Sequence, residues 1–252
     1  MPRKAREKSE SGLYHIILRG INKQIIFEDE EDKKKFLQTL KDYKDKRGYK
    51  VYGYCLMGNH IHIILHEIEE GIEIVMKSIG ASYVYWYNWK YNRSGHLFQD
   101  RYKSEPIEDE GYLLTALRYI HQNPLKAGIT DNIEDFQWSS YREYVNKEEI
   151  VDTDYILKML DSDRKTAIEK FIAFHKDTNE EKCLDIEKKR RLTDKEGIEI
   201  IKRVCKVNNC LEIQQIEQDM RNKYLKKLKE EGLSTRQIAR LTGISRGIVL
   251  KS

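Results

Sequence analysis

Between Leu13 and Asn123 the apolar positions follow two rhythms, and the stretches alternate. Leu13 to Leu18 reads as a strand. Glu30 to Lys46 sets Phe36, Leu37, Leu40 and Tyr43 at helical spacing, with acids early and bases late as a helix dipole prefers, and Gly48 follows. Val51 to Met57 and His60 to Leu65 read as two strands joined by Gly58-Asn59, a two-residue hairpin signal. Gly71 to about Asn92 is a second long helix, Leu97 to Pro106 is strand and turn, and Glu110 to Asn123 is a third helix. Pro124 is expected to end that helix, with Asn123 at or beyond its last turn. The order β-α-β-β-α-β-α describes an α+β, ferredoxin-like or RRM-like layer, an antiparallel sheet with helices on one face.

After Tyr141 the character changes. Charged helical segments without a chemical motif run to about Arg190, and Lys188-Lys189-Arg190-Arg191 reads as a boundary. The expected division is residues 1–145 as one domain, 146–190 as a helical linker, and 191–252 as an all-α C-terminal domain. In that last part Thr235 to Leu241 gives a short helix, Gly243 a turn, and Ser245 a cap for a following helix. It resembles a helix-turn-helix with Ile238, Ala239, Leu241, Ile244 and Val249 as core. Arg246 would begin the recognition helix, and Arg236 and Arg246 are its candidate DNA contacts.

Composition narrows the setting more than the chemistry. The 252 residues are 35% charged and 39% hydrophobic, with mean hydropathy −0.74, which permits a sizeable core in one large or two small domains. No run of about eighteen apolar residues occurs, so no membrane span is expected. The basic N-terminus is followed by no apolar stretch of the kind a secretory signal has, so a cytoplasmic protein is expected. The net charge of +4 is mild. Its distribution is more useful, because residues 191–252 hold fourteen Lys and Arg against eight Asp and Glu. The four cysteines form no Cys-x-x-Cys, which argues against zinc and for ordinary reduced thiols.

Two places carry chemistry. His60 and His62 stand at i and i+2 in an apolar strand, so they share a face at roughly 6.6 Å between Cα atoms. Imidazoles at that separation can converge on one metal ion. Ile61, Ile63 and Leu65 face the other way and suit a core. Tyr119 and Asn123 stand at i and i+4 on one face of the third helix. Arg19, Arg101 and Lys103 are candidates for phosphate contact. Tyr83, Tyr85, Trp86, Tyr87, Trp89 and Tyr91 crowd the second helix, where more than half should pack as core and the rest can stack on bases. His66 reads as structural or peripheral, and His121 as a surface or DNA-contact residue.

From about Gly12 to Tyr141 the chain resembles the single-tyrosine HUH transposases, in particular the repeat-associated tyrosine transposases and their insertion-sequence relatives. The resemblance rests on Tyr14-His15-Ile16-Ile17-Leu18-Arg19-Gly20-Ile21-Asn22, on Tyr54-Cys55-Leu56-Met57-Gly58-Asn59-His60-Ile61-His62, on Gly95-His96-Leu97-Phe98-Gln99-Asp100-Arg101-Tyr102-Lys103-Ser104 and on Tyr119-Ile120-His121-Gln122-Asn123-Pro124. It implies a ferredoxin-like nuclease fold. It also implies Tyr119 as the nucleophile and Asn123 as the residue that completes a metal site with His60 and His62, Gln122 being a rival for that place. The metal would be Mg²⁺ or Mn²⁺. The implied reaction cleaves and rejoins single-stranded DNA through a phosphotyrosine, at hairpin-forming ends, with duplex DNA as a further partner of the C-terminal domain. The protein would be a monomer or a homodimer, with the catalytic helix acting in cis or exchanged between copies. Histidine-triad hydrolases are disfavoured because Ile64 stands where their third histidine would. A replication-initiator or relaxase-type nuclease and a DNA-binding regulator with an inactive nuclease domain are the competing readings.

Overall fold

The period-two runs become four antiparallel strands, β1 (Leu13–Arg19), β2 (Tyr49–Leu56), β3 (His60–Glu67) and β4 (Lys103–Pro106), in the spatial order β2-β3-β1-β4. The computed structural model describes residues 6–177, 183 and 192–252. They fall into two compact units, Met1–Ile186 and Glu187–Ser252. Lys188 to Arg191, read as a boundary, lie outside the described residues.

Register decides which side chains share a face. Ile17 lies opposite His62, Arg19 opposite His60, and Cys55 opposite His62 from the other side. Directly paired residues project to the same face. One face of the sheet therefore carries His15, Ile17 and Arg19 with His60 and His62. The other carries Ile16, Val51, Ile61, Ile63 and Leu65, all completely buried.

Helices α1 (Glu30–Arg47) and α2 (Ile72–Lys90) lie side by side against this apolar face. Tyr49 of β2 reaches across to donate its hydroxyl to the Leu40 carbonyl of α1. Lys90 at the end of α2 bridges Asp29, Glu31 and Asp32 at the start of α1. Of the six aromatics of α2 and its C-cap Tyr91, Tyr83 and Tyr87 are buried and Trp86 and Tyr91 pack partly against the core, whereas Tyr85 and Trp89 are exposed.

Helix α3 (Glu110–Lys126) takes the opposite, histidine-bearing face. A Cβ at Gly53 would stand 2.5 Å from Leu117 and 2.9 Å from Ile120 of α3, so only glycine lets the helix approach β2 this closely. Asp109 caps α3 by accepting from the Tyr112 amide at 2.7 Å. The helix runs past Pro124 to Lys126, where the proline had been expected to end it. The proline removes one hydrogen bond in the last turn, and Ala127 and Ile129 still donate to the Asn123 and Pro124 carbonyls.

Helices α4 (Tyr141–Val145), α5 (Thr153–Leu160) and α6 (Arg164–Lys176) complete the first unit. Residues 146–190 had been read as a linker. Instead Ile156, Leu157, Ala167 and Phe171 are buried in the core that contains the sheet. The second unit holds α7 (Asp194–Cys205), α8 (Gln218–Glu230), α9 (Thr235–Thr242) and α10 (Arg246–Lys251) around Ile201, Leu225, Leu228, Ile238 and Val249. Gly243 turns between α9 and α10 at φ 69°, a left-handed conformation that favours glycine. Ser245 occupies the cap position of α10, but its side chain makes no capping hydrogen bond. Ile238, Ile244 and Val249 are buried, and Ala239 and Leu241 pack partly against them. Among the described residues no helix is long and apolar enough to cross a membrane.

Candidate active site

The strand pair β1/β3 and helix α3 together bring three sequence-selected groups, His60, His62 and Tyr119, into one place. His60 is half-buried at the hairpin end of β3, and His62 is completely buried two residues on. Their ring centroids lie 5.1 Å apart. The Tyr119 ring from α3 meets His62 edge-on at 5.9 Å, so tyrosine and histidines of one chain reach each other. Lys126, two turns further along α3, places its ammonium 5.1 Å from the Tyr119 ring centroid. Asn123 lies one turn from Tyr119, and its amide nitrogen is buried without a hydrogen-bond partner.

The adjacent amide behaves differently. Gln122 is buried and donates from its Nε2 to the His175 and Asp177 carbonyls, both at 3.0 Å, so it is engaged with the end of α6.

One residue at this site was quoted in the sequence only as part of a motif. His15 of β1 is completely buried, and its Nε2 stands 3.0 Å from Nδ1 of His62. The two rings stack with centroids 5.2 Å apart, and His15 also meets Tyr119 edge-on at 6.2 Å. Alternation along β1 places His15 on the face of Ile17 and Arg19. Only the β1/β3 register, which no local pattern reveals, brings it beside His62. Burial holds His15 down to about 3. It also holds His62 well below the usual imidazole value, with His15 and His60 adding to the effect. Both rings are therefore neutral at pH 7.

His60 has a defined tautomer. Its Nδ1 is 2.7 Å from Oδ1 of Asn59, an oxygen that only accepts. His60 therefore donates from Nδ1 and keeps its lone pair on Nε2. The Nε2 atom of His62 is buried without a hydrogen-bond partner, as is Nδ1 of His15. An orphaned imidazole nitrogen beside a second imidazole is part of a donor set suited to a borderline divalent cation. Among the described residues no three His, Cys, Asp or Glu side chains form such a site alone.

The remaining cationic candidates separate. Arg19 stands directly opposite His60, and Lys103 pairs with Ile17 on the same face. Arg101 instead lines a groove of ≈ 770 Å³ with Met76, Val84, Tyr85, Phe98 and Tyr102, on the α2 side of the unit. This groove is not lined by Tyr119, His60 or His62. Arg236 and Arg246 are exposed at the starts of α9 and α10 in the second unit.

Two further histidines fall where expectation differs. His66 pairs with the Tyr52 hydroxyl at 3.3 Å, a peripheral role as expected. His121 had been expected at the surface or on DNA, yet it is completely buried. It lies between His175 Nε2 at 3.0 Å and the Ser140 hydroxyl at 2.7 Å, because α6 and the segment before α4 close over it.

Comparison with known proteins finds relatives of the first unit. Residues 8–123 match the family described as IS200-like transposases. By this match the first unit is similar to the IS200-like transposases. A Haemophilus influenzae protein described as a REP-associated tyrosine transposase is 25% identical over 158 residues, covering 57% of this chain and 87% of that protein. The solved structure of a REP-associated tyrosine transposase bound to a REP hairpin superposes with a TM-score of 0.50 at 15% identity. That match covers 61% of this chain and 96% of the other, and it shows a shared fold.

Proposed function

We propose that this protein cleaves and rejoins single-stranded DNA at hairpin-bearing ends through a covalent phosphotyrosine, with Tyr119 as nucleophile. The observation that carries this reading is the packing of Tyr119 against His62, whose Nε2 is buried with no partner.

In the proposed reaction the Tyr119 oxygen attacks the scissile phosphorus as its hydroxyl gives up a proton. A phosphotyrosine bond forms, the bond from phosphorus to the 3′ oxygen breaks, and that oxygen takes up a proton. Attack by a 3′-hydroxyl on the phosphotyrosine reverses the step and rejoins a strand without ATP. The Lys126 ammonium near the ring favours the negative charge that develops on the phenolic oxygen. Arg19, opposite His60, and Lys103, on the same face, would bind the DNA phosphates. His60, His62 and Asn123 would hold Mg²⁺ or Mn²⁺, which when bound supplies Lewis-acid polarisation of the phosphate. The second unit, with Arg236 and Arg246 exposed on α9 and α10, would bind duplex DNA as a helix-turn-helix.

The test is incubation of the full chain with labelled single-stranded hairpin DNA from the sequence flanking its gene, with Mn²⁺ or with EDTA. A metal-dependent, SDS-resistant protein–DNA adduct supports the reading. Tight binding without an adduct, across a panel of ends, would favour the DNA-binding regulator.

A further inference from the structure

The His15–His62 contact has a direction that the cation requirement of the proposed function fixes. A neutral imidazole carries one hydrogen, so one nitrogen donates and the other accepts. If His15 donates from Nε2 to Nδ1 of His62, the hydrogen of His62 sits on Nε2 and that nitrogen cannot take a cation. If His62 donates from Nδ1, its Nε2 holds a lone pair, and His15 carries its own hydrogen on Nδ1. In either direction one N–H is left without a partner among the groups around it, because His62 Nε2 and His15 Nδ1 both lack one. Hydrogen bonding within the protein therefore does not choose between the directions. A cation at His62 Nε2 does.

We propose that His15 is the positioning residue for His62: its Nε2 accepts the His62 Nδ1–H, which orients the ring and presents the Nε2 lone pair to a divalent cation. This rests on the metal reading of the site. The neighbouring ligand supplies the precedent within the same molecule, since Asn59 Oδ1 accepts the Nδ1–H of His60 and fixes its tautomer in the same way. The stacked rings at 5.2 Å leave little room for His62 to rotate while His15 is in place. The contact is completely buried, so water cannot readily take over the acceptor role if His15 is removed.

The test is calorimetric titration of the full chain with Mn²⁺, in wild type, His15→Phe and His15→Gln, with thermal melts to confirm folding. Phenylalanine keeps the ring and removes the acceptor. Glutamine places an amide oxygen near the position of the imidazole Nε2. Loss of the acceptor should weaken Mn²⁺ binding roughly 10- to 100-fold in His15→Phe, the usual cost of losing the outer partner of a ligating histidine. His15→Gln should stay within about threefold of wild type, because an amide oxygen accepts as well as an imidazole nitrogen. Wild-type affinity in folded His15→Phe would overturn the proposal while leaving the metal reading intact. Equal losses in folded Gln and Phe variants would also overturn it, since the acceptor would then not matter. No Mn²⁺ binding by the wild type would overturn the metal reading and this inference with it.

Discussion

The first unit contains two buried histidine pairs, both joined by a nitrogen–nitrogen contact of 3.0 Å, and they are built to different ends. In the pair formed by His121 and His175, every ring nitrogen has a partner. His175 Nδ1 donates to the Phe171 carbonyl at 2.9 Å, which leaves its Nε2 to accept from His121 Nδ1. His121 Nε2 then accepts from the Ser140 hydroxyl, and the Tyr54 amide donates to that hydroxyl at 2.9 Å. The chain of donors runs from β2 through α3 to α6 and links the three elements. In the pair formed by His15 and His62, the outer nitrogens have no partner at all. Unsatisfied buried polar atoms destabilise a fold, so a pair that keeps two of them beside a tyrosine is arranged for something other than stability. Burial depresses all four rings, so titration behaviour alone would not separate the pairs. Satisfaction of hydrogen bonds does.

The largest expected effect lies at the residue that only the unsatisfied pair adjoins. Tyr119→Phe should abolish the covalent DNA adduct and leave hairpin binding intact, read on the same samples by denaturing gel and by mobility shift. The substitution removes one oxygen and keeps the edge contacts with His15 and His62. Adduct formation that persisted in this variant would reject Tyr119 as nucleophile.

Stability should discriminate the pairs in the opposite sense. His121→Ala strands the His175 Nε2 and opens a cavity beside Phe171, which should cost about 2–4 kcal/mol in urea unfolding. His62→Ala also opens a cavity and leaves His15 Nε2 without its partner, but it removes an orphaned nitrogen with it, and should cost less, about 1–3 kcal/mol. Equal losses would erase the distinction between a structural and a functional pair.

The two pairs should act together only when pH falls. His15 and His175 are each held down to about 3 by burial, and His62 and His121 are held well below the usual value for the same reason. The unfolded chain takes up these protons near pH 6.5 and the folded chain does not. The stability they contribute is thus complete above pH 6.5 and is lost as pH falls below it, by at most about 1.4 kcal/mol per pH unit for each ring. Urea midpoints measured from pH 7 to pH 5 without metal should fall steadily. A flat profile would mean that the folded protein protonates these rings as readily as the unfolded chain.

The contrast between the pairs also marks how far the sequence could be read. Strand alternation and the Gly58-Asn59 turn were enough to place His60 and His62 on one face, because those signals are local. The i,i+4 spacing put Tyr119 and Asn123 together on α3 for the same reason. Nothing local could show that α3 lies on the face opposite α1 and α2, because that depends on a glycine at position 53 meeting Leu117 and Ile120 across the fold. His15 needed the β1/β3 register. His121 was misjudged because its neighbours, His175 and Ser140, come from segments 54 and 19 residues away. The segment from 146 to 190 showed charge and helical character, and its charged faces hid the buried Ile156, Leu157 and Phe171 that tie it to the sheet.

The smallest effect should come from Asn59, and it sharpens the comparison within the site itself. Asn59 and His15 make equivalent contacts to the two histidines proposed as ligands, but His15 is completely buried and Asn59 lies partly exposed in the hairpin turn. When the Asn59 side chain is cut back to alanine, a water molecule can accept the His60 Nδ1–H and keep the same tautomer, nearly as well as the amide oxygen did. Asn59→Ala should therefore weaken Mn²⁺ binding by no more than about threefold, well short of the usual cost of losing an outer partner. The same titration that measures His15→Phe measures this variant. If the Asn59 loss equals or exceeds that of His15→Phe, exposure does not set the importance of these partners, and the hairpin turn rather than β1 would be the element that orders the site.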